Sequence, residues 1–325
     1  MDIKPLLRQF NLRPKKSLGQ NFLVDEHALS NIVRAAEITP DDVVLEIGPG
    51  LGSLTLYLAD AARQVIAVEI DHTLIPPLRS VLSARSNVAI VEGDILQLDP
   101  AELLAEASLR GGHRPTEQSP NQSDEIASHP STAPQKDAAP LTPYPRSGGA
   151  LGGMLAMTPN ENYKVVANIP YYITSAIIRH LLEADVKPRT IVLTIQSEVA
   201  QRIIAQPDDM NLLAVSVQFY GVPRIVQRIP AEAFYPAPDV DSAVVRIDLP
   251  DQPRVRVKDV ERFFKVAKAG FGQKRKQLHN SLAAGLPVKH EQIMQALSEV
   301  GIDPKRRAET LTLEEWGKLS DRLSG

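Results

Sequence analysis

Val43-Val44-Leu45-Glu46-Ile47-Gly48-Pro49-Gly50-Leu51-Gly52-Ser53-Leu54-Thr55 is the stretch that decides the fold. Val43–Ile47 is a short apolar run and reads as a buried strand. The glycines that follow let the backbone take positive φ and approach a ligand closely, and Ser53 opens a helical pattern. A dinucleotide-binding turn carries Gly-x-Gly-x-x-Gly, with the pyrophosphate on the helix N-terminus. Here the spacing is Gly-x-Gly-x-Gly and Pro49 removes one donor. The departure disfavours NAD and suits a ligand without a pyrophosphate.

Working outward, strands and helices alternate. Helical spacing begins at Asp25, a plausible N-cap, and runs through Ala28, Leu29, Ile32, Val33 and Ala36. The pattern predicts helices over Ser53–Ala62, Leu74–Ala84, Ser175–Leu182 and Glu198–Ala205. It predicts strands over Val65–Ile70, Val88–Val91, Tyr163–Ala167 and Thr190–Ile195. Leu212–Tyr220, Arg224–Ile229 and Ala243–Leu249 also read as strands, the last ones forming an antiparallel hairpin at one edge. Alternation of this kind predicts an α/β fold with a parallel sheet covered on both faces. After Pro250 the pattern becomes helical, over Val257–Ala269, Lys274–Ala283, His290–Val300 and Leu313–Leu323. Thr312 and Glu315 stand at capping-box spacing before the last of these. The expected organisation is a sheet domain over 1–250 and a small all-helical domain over 251–325. Residues 111–160 hold eight of the 26 prolines and six of the 18 glycines. With so little apolar surface to bury, roughly 111–158 is expected to be a disordered insertion.

Acidic residues follow successive strands. Glu69 ends the strand 17 residues after Gly52, where a carboxylate can bind two ribose hydroxyls. Asp94, in Gly93-Asp94-Ile95, is placed to accept a hydrogen bond from an adenine amino group. An acidic residue at a strand end is ordinarily just solvated. Three features in register at the carboxyl edge of one sheet make the site that S-adenosylmethionine would need.

Asn168-Ile169-Pro170-Tyr171 closes the strand Tyr163–Ala167. The exocyclic amine of a purine is a poor nucleophile, because its lone pair is delocalised into the ring. A side-chain amide oxygen beside a backbone carbonyl can orient the nitrogen and accept its hydrogens, and an aromatic ring can clamp the base. Pro170 stiffens the turn and removes a competing donor. By themselves these four residues equally suit an ordinary strand-to-helix turn.

Composition narrows the classes. The 325 residues contain no cysteine, which excludes disulfides, thiolate metal sites and methyl transfer through a cysteine adduct. The seven histidines have no metal-ligand spacing, so no metal is expected. No apolar stretch approaches the ~18 residues of a membrane span, and Met1–Lys16 is basic without an apolar core, so a cytoplasmic protein is expected. Net charge is only −3, but two segments are basic. Residues 1–16 carry Lys4, Arg8, Arg13, Lys15 and Lys16 against Asp2 alone. Residues 254–276 carry nine basic side chains, Lys274, Arg275 and Lys276 among them, against Asp259 and Glu261. Such segments suit phosphate contact, although charge runs are more often solvated helix faces.

Five ordered motifs make the chain similar to the small-subunit (16S) rRNA adenine N6-dimethyltransferases of the KsgA/RsmA type. They are Ser17–Leu23, Glu46–Gly52, Asn168–Tyr171, Phe234–Ser242 and Phe271–Lys276. The resemblance spans all but about 101–160, where the family has a shorter connection. It implies a Rossmann-like class I methyltransferase domain followed by a helical RNA-binding domain, and transfer of methyl groups from S-adenosylmethionine to two adjacent adenosines in a hairpin loop of small-subunit rRNA. By motif position, Asn21, Leu23, Gly48, Gly50, Glu69, Asp94 and Asn168 would line the cofactor. Asn168 and the Ile169 carbonyl would hold the target N6, and Tyr171 and Phe234 would stack on the flipped base. Lys15, Lys16, Lys274, Arg275 and Lys276 would bind RNA of the small ribosomal subunit, and a monomer is expected. A large-subunit enzyme of the resistance type and a non-catalytic assembly factor are the neighbouring alternatives.

Overall fold

The computed structural model describes residues 3–110 and 163–323. The predicted insertion at 111–158 lies outside them. In chain order the first part contains α1 (Ile3–Gln9), β1 (Phe22–Leu23), α2 (Glu26–Ala35), β2 (Val43–Ile47), α3 (Ser53–Ala61), β3 (Gln64–Glu69), α4 (Ile75–Val81), β4 (Val88–Glu92) and α5 (Pro100–Arg110). The second contains β5 (Tyr163–Asn168), α6 (Thr174–Glu183), β6 (Thr190–Gln196), α7 (Ser197–Ile203), α8 (Leu212–Tyr220), β7 (Val222–Ile229), β8 (Phe234–Tyr235) and β9 (Ser242–Asp248). It closes with α9 (Val260–Phe271), α10 (Leu278–Gly285), α11 (His290–Glu299) and α12 (Leu313–Arg322).

Seven strands form one sheet in the order β4-β3-β2-β5-β6-β9-β7, parallel from β4 to β6 and antiparallel beyond. The chain moves from β2 out to β4, then returns to the other side of β2 as β5. That reversal places the carboxyl ends of β2 and β5 side by side, at the switch point where open α/β sheets bind ligands. β2, and β3 from its second residue on, are buried at every position, as expected of strands covered on both faces.

One element differs in kind from the sequence expectation, and two helices, α1 and α5, lie where it predicted none. Leu212–Tyr220 is a helix, α8, capped by the Asn211 side chain accepting from Ala214 N at 3.1 Å. It is apolar all round because it is buried on two sides. Leu213 and Val217 pack into the core beneath the sheet, while Ala214, Val215 and Phe219 join the core of α9–α12. A helix without a polar face shows no helical periodicity, so the run imitates a strand. The helical core thus draws on a helix before Pro250. α5 continues to Arg110, with Leu103, Leu104 and Ala107 buried. α1 packs onto the sheet domain, burying Ile3 and Leu7 against Phe22, Leu51 and Leu74.

Within the helical part Trp316 is fully buried and fits against Gly270 of α9. A Cβ there would lie 2.3 Å from the indole ring, so a glycine inside a helix is explained by this one contact. Truncating a buried Trp costs about 3–5 kcal/mol. Among the described residues no helix is long and apolar enough to cross a membrane.

Candidate active site

The loops after β2, β3, β4 and β5, with the segment Leu18–Leu23, enclose a cavity of about 240 Å³, far above the ~15 Å³ that one water requires. Among the described residues Glu46, Glu69 and Asp94 line it, and no Lys, Arg or His does. A cleft lined by one sign of charge concentrates ligands of the other, so this one favours a cation and repels phosphate.

The turn after β2 takes its shape from glycine. Gly48, Gly50 and Gly52 have φ of 67°, 59° and 84°, and a Cβ on Gly50 would meet the Phe22 ring at 3.0 Å. Its glycine amides are already committed. Gly48 N donates to Val68 O at 2.9 Å, Gly52 N to Pro49 O at 2.9 Å, and Gly50 N to Glu69 Oε2 at 2.9 Å. Pro49 has none to give. A pyrophosphate cradle needs free amides, so geometry and charge both disfavour the NAD alternative.

Glu69 is buried at 4% exposure. Besides Gly50 N on Oε2, its Oε1 accepts Asp71 N at 2.9 Å. Burial pushes this carboxyl up, and the two amides oppose the shift. A carboxylate held at both oxygens still has lone pairs for a diol. Asp94 caps a short 3-10 turn, Oδ1 accepting Leu96 N at 3.0 Å, and this fixes its carboxyl at the cavity wall. Glu46, inside β2, is buried at 1% exposure, and its Oε2 has no partner among the described residues. Burial, with the nearby Glu69 charge, pushes its carboxyl up to about 8. An orphaned buried oxygen at a ligand-sized cavity is unfinished until a donor arrives. The ammonium of an amino-acid moiety would supply one, and the diol-ready Glu69 and amine-ready Asp94 suit an adenosine. Together these residues fit S-adenosylmethionine.

At the end of β5, the Asn168 side chain donates from Nδ2 to Asn21 O at 3.1 Å. A nitrogen facing a carbonyl fixes the amide orientation and leaves Oδ1 as the free acceptor. The Ile169 carbonyl takes part in no hydrogen bond among the described residues. Tyr171, half-buried, is anchored by its hydroxyl 2.7 Å from Ser242 Oγ, and burial pushes its phenol up, so it stays protonated.

Asn21, Leu23, Gly48, Gly50, Glu69, Asp94, Asn168, Ile169 and Tyr171 are therefore brought to one cavity. Two assignments need correction. Phe234 is not in the lining; it is 4% exposed in a core cluster with Leu29 and Ile32, because β8 pairs with β1 and sets Phe234 opposite Leu23. Its ring has no free face for a base in this structure. Lys15 is not an unpaired surface charge: its side chain is 40% exposed, but Nζ lies 2.7 Å from Asp71 Oδ1 and 3.1 Å from Thr73 Oγ1. Lys16 is exposed, as are Lys274, Arg275 and Lys276, which occupy a turn between α9 and α10 rather than a helix and form no ion pair among the described residues.

Several residues escaped the sequence reading. Glu46 was detectable as the one charge inside a buried strand. Asp71 and Gln20 gave no local signal. Ile70 and Tyr172, 54% and 62% exposed, are large apolar side chains left open at the cavity.

The model of the family described as ribosomal RNA adenine dimethylase matches residues 11–324. The chain is 40% identical over 316 residues to a ribosomal RNA small subunit methyltransferase A of Dehalococcoides mccartyi, covering 97% of this chain and 90% of that protein. It is 40% identical to one of the same name from Moorella thermoacetica, covering 98% and 95%. Among solved structures it is similar to the 23S rRNA methyltransferase ErmE, at 27% identity and a TM-score of 0.62 over 94% of this chain and all of that one. A dimethyladenosine transferase from Plasmodium falciparum shares the fold, with a TM-score of 0.64 at 22% identity over 92% of this chain and 95% of the other.

Proposed function

The chain belongs to the ribosomal RNA adenine dimethylase family, and from that premise we infer an enzyme that transfers methyl groups from S-adenosylmethionine to N6 of two adjacent adenosines in small-subunit rRNA. The target is a hairpin loop near the 3′ end, the product N6,N6-dimethyladenosine, and the setting small-subunit biogenesis in the cytoplasm, with the protein acting as a monomer. The observation that carries this is the free Asn168 Oδ1, oriented by Asn21, beside a cavity with three carboxyl groups and, among the described residues, no base.

The cofactor, when bound, supplies an activated methyl group on a sulfonium. Glu69 would hold its ribose, Asp94 its adenine and Glu46 its ammonium end. Asn168 Oδ1 and the Ile169 carbonyl would accept the hydrogens of the target amine and point its lone pair at the methyl carbon. Tyr171, its hydroxyl held by Ser242, would stack on the base. The amine becomes acidic once alkylated and loses its proton to water, so positioning and orientation suffice without a strong base. A loop adenine is the sensible target, because extruding an unpaired base costs least. Lys16, Lys274, Arg275 and Lys276 would bind phosphates. Similarity to ErmE at 27% raises the large-subunit alternative; 40% identity to small-subunit enzymes weighs against it.

Labelled S-adenosylmethionine and purified protein, added to small and large subunits from cells lacking the modification, test the proposal. Label is expected at two neighbouring adenosines of small-subunit rRNA. Label on the large subunit, or none on either, would reject it.

A further inference from the structure

Lys15 lies outside the cavity, yet it sits at the head of a hydrogen-bonded chain that ends on Glu69. Asp71, whose side chain is 1% exposed, uses both oxygens. Oδ1 accepts Lys15 Nζ at 2.7 Å, Thr73 Oγ1 at 2.6 Å and Thr73 N at 3.1 Å, and Oδ2 accepts Gln20 Nε2 at 2.7 Å. Gln20 closes the ring, its Oε1 accepting Lys15 N at 2.8 Å. From the same residue, Asp71 N donates to Glu69 Oε1 at 2.9 Å.

We propose that Lys15 and Asp71 are positioning residues for the cofactor: they aim the Glu69 carboxylate at the ribose and strap Leu18–Leu23 across the cavity. The proposal rests on the assignment of Glu69 to the ribose made above. Burial alone would raise the Asp71 carboxyl, but the hydrogen bonds from Lys15, Thr73 and Gln20 hold it at about 2, so it stays charged. A buried charge stripped of its cation is strongly unfavourable and its loop must rearrange; the Asp71 amide moves with that loop. The strap also reaches the reacting end. Gly19, at φ 58°, brings the backbone so near that a Cβ would stand 3.3 Å from Pro170 Cβ. Two residues on, the Asn21 carbonyl orients Asn168. Lys15 therefore governs cofactor binding rather than phosphate contact.

The test is calorimetric titration of the full-length protein with S-adenosylhomocysteine and with its 2′-deoxyribose counterpart, alongside rRNA-hairpin affinity. Lys15→Met is expected to weaken the ribose ligand roughly tenfold or more, the worth of one charge-assisted hydrogen bond. The deoxy ligand should weaken far less, so that the ribose-over-deoxyribose preference shrinks as it does in Glu69→Gln. Lys15→Arg should restore most of it, and RNA affinity should hold within about twofold. Thr73→Val, which removes one bond to Asp71 and one from Lys15 but leaves the Lys15–Asp71 pair, should shift the preference in the same direction by less and covers the case in which Lys15→Met does not fold. An unchanged preference in Lys15→Met while Glu69→Gln loses it would overturn the proposal alone. So would lost RNA affinity with cofactor binding intact. An unchanged preference in Glu69→Gln would overturn the ribose assignment and the proposal with it.

Discussion

The carboxyl edge of the sheet and the turn between α9 and α10 are opposites. The first is an enclosed pocket with Glu46, Glu69 and Asp94 in its wall and, among the described residues, no cation. The second is an exposed run, Lys274-Arg275-Lys276, whose charges meet no acidic partner among the described residues. The sheet edge fixes its groups through buried backbone contacts, such as the two amides on Glu69; the turn fixes nothing. Enclosure with fixed geometry suits discrimination among small ligands. Free surface charge suits a long polyanion, for which phosphate contacts need no single geometry. If this division is right, changes at one region should leave the affinity of the other untouched.

The largest expected effect is at Asn168. Asn168→Ala should lower kcat by roughly 10²–10³, as losing one preorganised polar contact in an enclosed site does. Binding of small-subunit rRNA should be unchanged, because the phosphate contacts lie elsewhere. Single-turnover methylation and a filter-binding titration on the same samples measure both. A fall in RNA affinity matching the fall in rate would break the division, since the pocket would then contribute to docking.

How far each region could be read from sequence follows from the same contrast. The glycine turn, Glu69, Asp94 and Asn168 were legible because each belongs to a strand end, and a parallel sheet brings consecutive strand ends to one edge. Phe234 was not: whether its ring faces the cavity or the core depends on a two-residue pairing with Phe22 and Leu23, more than 200 positions earlier. Lys15 looked like a member of a basic surface run because its partner, Asp71, is 56 residues away. α8 was mistaken for a strand because burial against two cores erased its periodicity. Local pattern fails where a side chain answers to a distant neighbour.

A smaller effect is expected from the basic turn. Charge reversal of Lys274, Arg275 and Lys276 to Glu should weaken RNA binding by roughly tenfold to a hundredfold at physiological salt. It should also reduce the slope of log affinity against log salt by about 2 to 3, if each cation meets one phosphate. Cofactor affinity, measured in the absence of RNA, should stay at the wild-type value. An unaltered salt slope would move the RNA footprint to another face, such as the one bearing Lys16.

The smallest effect probes the charge of the pocket itself. Glu46 has a usual carboxyl value of 4.5 in the unfolded chain, and burial lifts it to about 8 when folded. Between these values the unfolded chain has released the proton and the folded chain keeps it, so fewer protons are bound on unfolding and stability falls as pH rises. The contribution is fully present below about pH 4.5 and gone above about 8. Glu46→Gln imitates the protonated carboxyl, so wild type and variant should melt alike near pH 5 and diverge towards pH 8.5, the variant being the more stable. Thermal melts of ligand-free protein across that range check it. Parallel curves would mean that Glu46 is already ionised in the folded protein. Glu46 would then add a full negative charge to the pocket, and its attraction for a cation would be stronger than a neutral Glu46 allows.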